Sequence, residues 1–90
     1  MIDTTYNGYT NYETWNIVLW LFNDETIYDN LRREMRSVVR TNGDEEDVKS
    51  IVTSLFASDD GAATPDGVWL DDKHINWSEI HRILMDDFGD

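Results

Sequence analysis

Residues 10–23 read TNYETWNIVLWLFN, and the reading of this stretch decides the fold. From Trp15 to Phe22 only Asn16 is polar, and two of the four tryptophans lie inside the stretch. Trp15, Val18, Leu19 and Phe22 recur at the spacing of one helical face. Ile17, Trp20 and Leu21 extend that face nearly all round, as in a helix packed by several others. Thr10 and Glu13 have the T-x-x-E spacing of a capping box, in which each side chain bonds the other residue's backbone N–H. A central first helix is therefore expected, starting at Thr10 and ending near Asn23.

Outward from it, three more amphipathic segments follow. Ile27, Leu31, Met35, Val38 and Val39 make a stripe that predicts a second helix from Asp24 or Glu25 to Thr41. Asn23 or Asp24 can cap it, Asp29 and Arg33 stand at i,i+4, and Asn42-Gly43 is a stop signal. A third helix is expected after Asp44, with Glu45, Glu46 and Asp47 in its first turn. Val48, Ile51, Val52, Leu55 and Phe56 form its apolar face, and it ends near Ala57. A fourth is expected after Asn76, where Asn76 and Glu79 have the spacing of a variant capping box and Ile75 and Ile80 that of a hydrophobic staple. Trp77, Ile80, Leu84 and Phe88, joined by Ile83, are its buried stripe, and Gly89 ends it.

Residues 1–9 read as an N-terminal arm turning at Asn7-Gly8, with Tyr6 and Tyr9 folded back on the core. Residues 58–73, SDDGAATPDGVWLDDK, are the one long connection. Gly61, Pro65 and Gly67 exclude a regular helix there, and Val68-Trp69-Leu70 reads as a pinned loop segment or an edge strand. The expected fold class is all-α: a compact four-helix domain over residues 1–90, with a central apolar first helix, a long acidic loop, and a short extended segment near Trp69.

Ninety residues leave room for one core. The absence of cysteine excludes disulfides and thiolate chemistry. The start MIDTTYNGY has neither the basic nor the apolar region of a signal peptide. No apolar run approaches the ~20 residues that span a bilayer. A soluble cytoplasmic protein is expected.

Charge is the strongest compositional signal. Nineteen acids against seven Lys and Arg give a net of −12. The excess lies in residues 43–90, where thirteen acids face only Lys49, Lys73 and Arg82, a net of −10. Such a surface repels nucleic-acid phosphates and attracts basic proteins, so neither direct nucleic-acid binding nor membrane binding is expected. The expected partner surface is Asp44, Glu45, Glu46, Asp47, Asp59, Asp60, Asp66, Asp71, Asp72, Asp86 and Asp87. The one basic feature is Arg32, Arg33, Arg36 and Arg40 on the second helix. The ordinary expectation for these is pairing with Asp29, Glu34 and the acidic C-terminal half. The alternative is a contact surface, which makes a head-to-tail homodimer electrostatically plausible. Asp outnumbers Glu thirteen to six and Arg outnumbers Lys five to two. A halophilic structural or interaction domain, whose acids serve only hydration and solubility, produces the same pattern.

Catalytic signals are weak. His74 and His81 do not have the i,i+4 spacing of a zinc-protease helix, and no nucleophile elbow or glycine-rich phosphate loop is present. Asp59, Asp60, Asp66, Asp71 and Asp72 could serve a calcium- or ligand-responsive loop, but they lack the D-x-D-x-D-G spacing. No enzyme activity, cofactor or metal is expected.

The run Asn11-Tyr12-Glu13-Thr14-Trp15-Asn16, followed by an apolar stretch and Asn23-Asp24, resembles the N-Y-E-T-W-N signature of a family of small acidic prokaryotic proteins associated with phages, archaeal viruses and their hosts. Ile75-Asn76-Trp77-Ser78-Glu79-Ile80 is similar to the V-N-W-x-E-I segment that closes those proteins. The two motifs bracket nearly the whole chain. The family has no established activity, so the resemblance implies origin and architecture. With the charge, it leads to the expectation of a virus-encoded accessory protein acting in the cytoplasm of its host. Its partner would be a host defence or nucleic-acid-handling protein, bound as anti-restriction or anti-CRISPR inhibitors bind, by imitating phosphates. Within the signature, Thr10 and Glu13 read as capping and Trp15 as core. Asn11, Thr14 and Asn16 have no local explanation. Asn16 is a poor interior helix residue that either pins a neighbouring loop near 65–70 or faces a ligand.

Overall fold

The structure is a computed structural model, and it describes residues 5–89; the first four residues of the expected N-terminal arm lie outside the described part. Four helices follow one another: α1 Tyr12–Asn23, α2 Glu25–Thr41, α3 Glu45–Leu55 and α4 Trp77–Phe88. Between α3 and α4 lie two very short strands, β1 Ala57–Ser58 and β2 Gly61–Ala62, paired antiparallel with Ala57 opposite Ala62 and Ser58 opposite Gly61. The fold is mostly helical, with this small sheet as its one departure from the expected class among the described residues. No helix is long and apolar enough to cross a membrane.

Local chemistry sets the helix ends. Asp24 caps α2, its side chain accepting from the Ile27 N–H. The helix stops at Asn42, which takes the left-handed conformation at φ 53°. Asn is among the few residues that tolerate that region, and the following Gly43 N–H reaches back to the Val38 carbonyl at 2.8 Å. Asp44 and Asp47 close a reciprocal capping box at the start of α3, each side chain accepting from the other's N–H at 3.1 Å. The arm turns as its Asn7-Gly8 pair implies. Both residues have positive φ, and Tyr6 and Tyr9 exchange backbone hydrogen bonds across the turn.

The core is built from Ile17, Val18 and Leu21 of α1, Leu31, Met35 and Val38 of α2, and Val48 and Val52 of α3. Phe56 just beyond α3 and Ile80 and Leu84 of α4 complete the helical share. Val68, Leu70 and Ile75 join them from the connection before α4. A domain of this size has little core redundancy, so three side chains from a nominal loop matter.

Two expectations about α1 are corrected. It is not the central helix: α2 and α4 each pack against all three other helices, whereas α1 packs chiefly on α2 and α4. Its buried face is also rotated from the one read off the tryptophans. Thr14, Asn16, Ile17, Val18 and Leu21 are buried, while Trp15, Leu19 and Phe22 are half-buried. Trp15 instead stacks at the surface with Tyr6 and Tyr12, at ring separations of 4.7 and 5.7 Å. Phe22 stacks with Phe88 and Tyr28. The wide apolar surface of α1 is thus covered in part by aromatic side chains of the arm and the later helices rather than by a ring of helices.

The predicted consequence is a clear order of substitution costs. Leu21→Ala, at a fully buried position, destabilises by about 2–5 kcal/mol. Trp15→Leu costs less than Leu21→Ala, although it removes a larger side chain. Urea unfolding of both variants gives the comparison.

Candidate functional site

The signature residues without a local explanation meet in two hydrogen-bond networks. The first joins the N-terminus of α1 to that of α4. The α1 cap is Asn11, not Thr10: the Asn11 side-chain oxygen accepts from the Thr14 N–H at 2.9 Å. Its amide nitrogen donates to the His74 carbonyl. The Thr10–Glu13 capping box does not form, because Thr10 is engaged by α4. Its N–H donates to Glu79 Oε1 at 3.0 Å, and its hydroxyl oxygen accepts from Asn76 Nδ2 at 2.9 Å. Asn76 caps α4 by accepting from the Glu79 N–H, but the variant box is not closed either. The Asn76 N–H donates instead to Thr14 Oγ1 at 2.9 Å. Thr10, Asn11, Thr14, Asn76 and Glu79 therefore form one junction across more than sixty residues of sequence. Trp77, beside it, is half-buried against the core.

The second network centres on Asn16, which is fully buried. Its Nδ2 donates to Asp66 Oδ2 at 2.7 Å, and its Oδ1 accepts from the Thr64 hydroxyl at 2.6 Å. The same hydroxyl oxygen accepts from the Val68 N–H, and Asp66 Oδ2 also accepts from the Trp20 indole N–H at 2.9 Å. Residues 64–68, Thr-Pro-Asp-Gly-Val, form a tight turn. The Gly67 N–H bonds the Thr64 carbonyl, the Thr64 N–H bonds the Val68 carbonyl, and Gly67 has φ 92°. Proline and then Asp-Gly is the composition such a turn demands. Beyond it Trp69 bridges Ala63, and the Leu70 N–H bonds the Ala62 carbonyl, so much of the long connection is a small antiparallel meander held against α1. The Pro65-Asp66-Gly67 run is the local signal of this turn, and Asn16 pins the segment near 65–70, the first of the two roles expected of it.

The acids predicted as a partner surface divide into two groups. Asp44 and Asp47 are occupied by capping and Asp66 by the Asn16 network. The Asp66 carboxyl is held below the usual carboxylate range, first by the Asn16 amide and then by the Trp20 indole. Asp72 accepts from the His74 N–H at 2.8 Å and from His74 Nδ1 at 2.9 Å, and the backbone bond is the main reason its carboxyl is also lowered. Glu45, Glu46, Asp59, Asp60, Asp71, Asp86 and Asp87 are exposed. None of these seven forms an ion pair with another described residue.

The arginines do not neutralise them. Arg32 pairs with Asp29 at 3.7 Å, one position from the expected Asp29–Arg33 pair, and Arg33 contacts Asn30 instead. Arg82 approaches Glu79 at 4.0 Å. Arg36 and Arg40 are exposed, and the pairing of this face with the acidic half is not observed among the described residues.

The group that could ligate a divalent cation shares only Asp72 with the aspartates of the loop. Glu13, Asp72 and His74 each offer a ligand atom, all within 4.8 Å of one another. The five-aspartate set considered for calcium loses Asp66 and Asp72 to internal hydrogen bonds. His81 is also structural: its Nε2 donates to the Gly43 carbonyl at 2.9 Å, tying α4 to the α2–α3 corner.

The chain belongs to a family of unknown function, DUF7249, whose model matches residues 2–88. That span includes both signature stretches and the meander between them. No curated protein and no solved structure matches the chain.

The Asn16 network predicts two measurable effects. Asn16→Ala removes a partner from the buried Thr64 hydroxyl and costs about 1–3 kcal/mol. Asp66, with its folded pKa lowered, contributes stability that is present above the ordinary Asp value of about 3.9 and is lost as pH falls through the folded value. Asn16→Asp reverses the sign: a second carboxyl within hydrogen-bonding distance of Asp66 raises a folded pKa, so this variant gains stability as pH falls. Urea midpoints measured across the acid range distinguish the two slopes.

Proposed function

We propose that this chain is a non-enzymatic binding protein that receives a basic protein partner on its acidic surface. One observation carries the reading. The exposed acids of residues 43–90 greatly outnumber the cations near them, and the arginines of α2 do not compensate them within the fold. Unpaired carboxylates on a rigid helical frame present a field that steers a basic protein and excludes nucleic acid. Glu45, Glu46, Asp59, Asp60, Asp71, Asp86 and Asp87 are the working residues in this proposal. Asp44, Asp47, Asp66 and Asp72 hold the backbone that displays them.

The most specific form of the proposal is an inhibitor of a nucleic-acid-handling protein, with carboxylates standing where phosphates would. The resemblance of the signature to proteins of phages and archaeal viruses supports it, and a host defence protein in the cytoplasm is the partner it implies. The competing reading is a halophilic domain, and the Asp-rich, Lys-poor bias favours it over an ordinary soluble protein. Under that reading the acids only hold water.

A thermal melt against salt separates the two. The binding protein is folded in dilute buffer, whereas the halophilic domain requires molar salt to fold. Lysine substitution of Glu45, Glu46, Asp59 and Asp60 together weakens capture of the basic partner by about tenfold or more and flattens its salt dependence. Capture that is unchanged by these four reversals rejects the acidic surface as the binding site.

A further inference from the structure

Among the described residues, Trp69 is the large apolar side chain that the fold leaves most open. It is 50% exposed, against 39% for Tyr6 and Tyr12, which meet edge to face and both pack against Trp15. Trp69 has no ring partner among the described residues and is not part of the core cluster. Its exposure follows from strand alternation: Val68 and Leu70 on either side point inward and are buried, so Trp69 faces out. An edge of its six-membered ring stands 3.0 Å from where a side chain at Gly61 would begin. Gly61, at φ 120°, therefore provides both the turn and the room for the ring.

The indole lines a cleft of about 380 Å³ together with Gly61, Leu70, Asp60, Asp71 and Lys49. Both aspartates are exposed, and neither forms an ion pair with another described residue. Two carboxylates against one ammonium leave the cleft negative, within a half of the chain that is itself at −10. We infer that this cleft is the seat of an arginine side chain from a basic protein partner, with the guanidinium against the Trp69 ring and paired to Asp60 and Asp71. The inference rests on the acidic-surface reading and gives it a centre.

A guanidinium is the cation that suits these groups. It is planar, weakly hydrated, stacks on aromatic faces and takes carboxylates with its fork of donors. Tryptophan and arginine are also the residues most enriched where an interface concentrates its binding energy. The seat is preorganised, because the Leu70–Ala62 bond and the Asn16 brace fix the limb that carries Trp69. Less ordering entropy is then lost on binding.

The test is an NMR titration of the isotope-labelled full chain in dilute salt with tetra-arginine and tetra-lysine peptides, reading the four indole N–H resonances. Trp69→Leu assigns the Trp69 signal and keeps an apolar cover over Gly61. The expected result is that the Trp69 resonance shifts most and that the arginine peptide binds about fivefold more tightly than the lysine peptide. Trp69→Leu abolishes that preference. The double variant Asp60→Asn/Asp71→Asn weakens binding more than Asp86→Asn/Asp87→Asn, which removes the same charge elsewhere. Binding that falls equally for both charge pairs, with no effect of Trp69→Leu, overturns the arginine seat and leaves the acidic-surface reading standing. Failure of both peptides to bind overturns both readings. The aspartate variants carry the test if Trp69→Leu does not fold, since neither carboxylate has a structural role in the described residues.

Discussion

A primary amide sealed from water must find its partners inside the protein. Asn16 is such an amide, in the middle of an otherwise apolar run, and the path of the 64–70 segment follows from satisfying it. Thr64 supplies the donor and Asp66 the acceptor. For both to reach Asn16 the chain must turn tightly between them, which Pro65 and Gly67 allow. The return limb then brings Val68 and Leu70 into the core and leaves Trp69 outside. An apolar residue at position 16 would make α1 a more uniform helix, but it would leave no reason for the connection to lie where it does. The polar residue supplies the register that hydrophobic burial, which is not directional, cannot.

The same logic ties the ends of the domain. Each of α1 and α4 has donors at its N-terminus without helical partners. In this fold the two sets of capping residues are shared, with Thr10, Asn11 and Thr14 serving α4 and the segment before it as well as α1. A helix whose cap reaches across the molecule cannot fray independently of its neighbour, so the junction couples the formation of α1 to that of α4. The Asn11–Asn16 and Ile75–Ile80 stretches, far apart in sequence, are thus two halves of one contact.

Much of this was legible in the sequence, and the failures have a common cause. The four helices, the end of α2 and the start of α3 are set by nearest neighbours, such as the left-handed Asn42 and the Asp44–Asp47 box. The α1 cap was misplaced by one residue because Thr10 and Asn11 are both competent caps. The choice between them is made by Asn76, Glu79 and His74, which no local window contains. Trp15 was assigned to the core because its size dominates any helical projection, yet the side of α1 that is buried is the one carrying Thr14 and Asn16. Helical periodicity locates an apolar stripe and is blind to a polar network that outweighs it. In the connection, Asn16 is legible as a pin for a segment near 65–70, but the tight turn that brings Thr64 and Asp66 to it together is not.

The acidic surface shows the same limit in another form. Composition counts carboxylates without distinguishing those that hold the backbone from those that face solvent. Asp66 and Asp59 are equivalent in the sequence and both exposed, yet one is bound to a buried amide and an indole while the other has no such partner among the described residues. Once the structural acids are set aside, the remaining charge cannot be ascribed to stabilising ion pairs. Surface pairs contribute at most about 1 kcal/mol even where they form, and here most of the acids lack one. Close like charges oppose compaction in dilute salt. The core and the two hydrogen-bond networks must therefore hold the domain together against its own surface, and stability does not account for that surface. On the proposed reading, that surface acts on what the carboxylates meet outside the molecule; on the competing one, it meets concentrated salt. The open indole beside Asp60 and Asp71 favours the protein, because hydration at high salt gives no reason to expose a tryptophan.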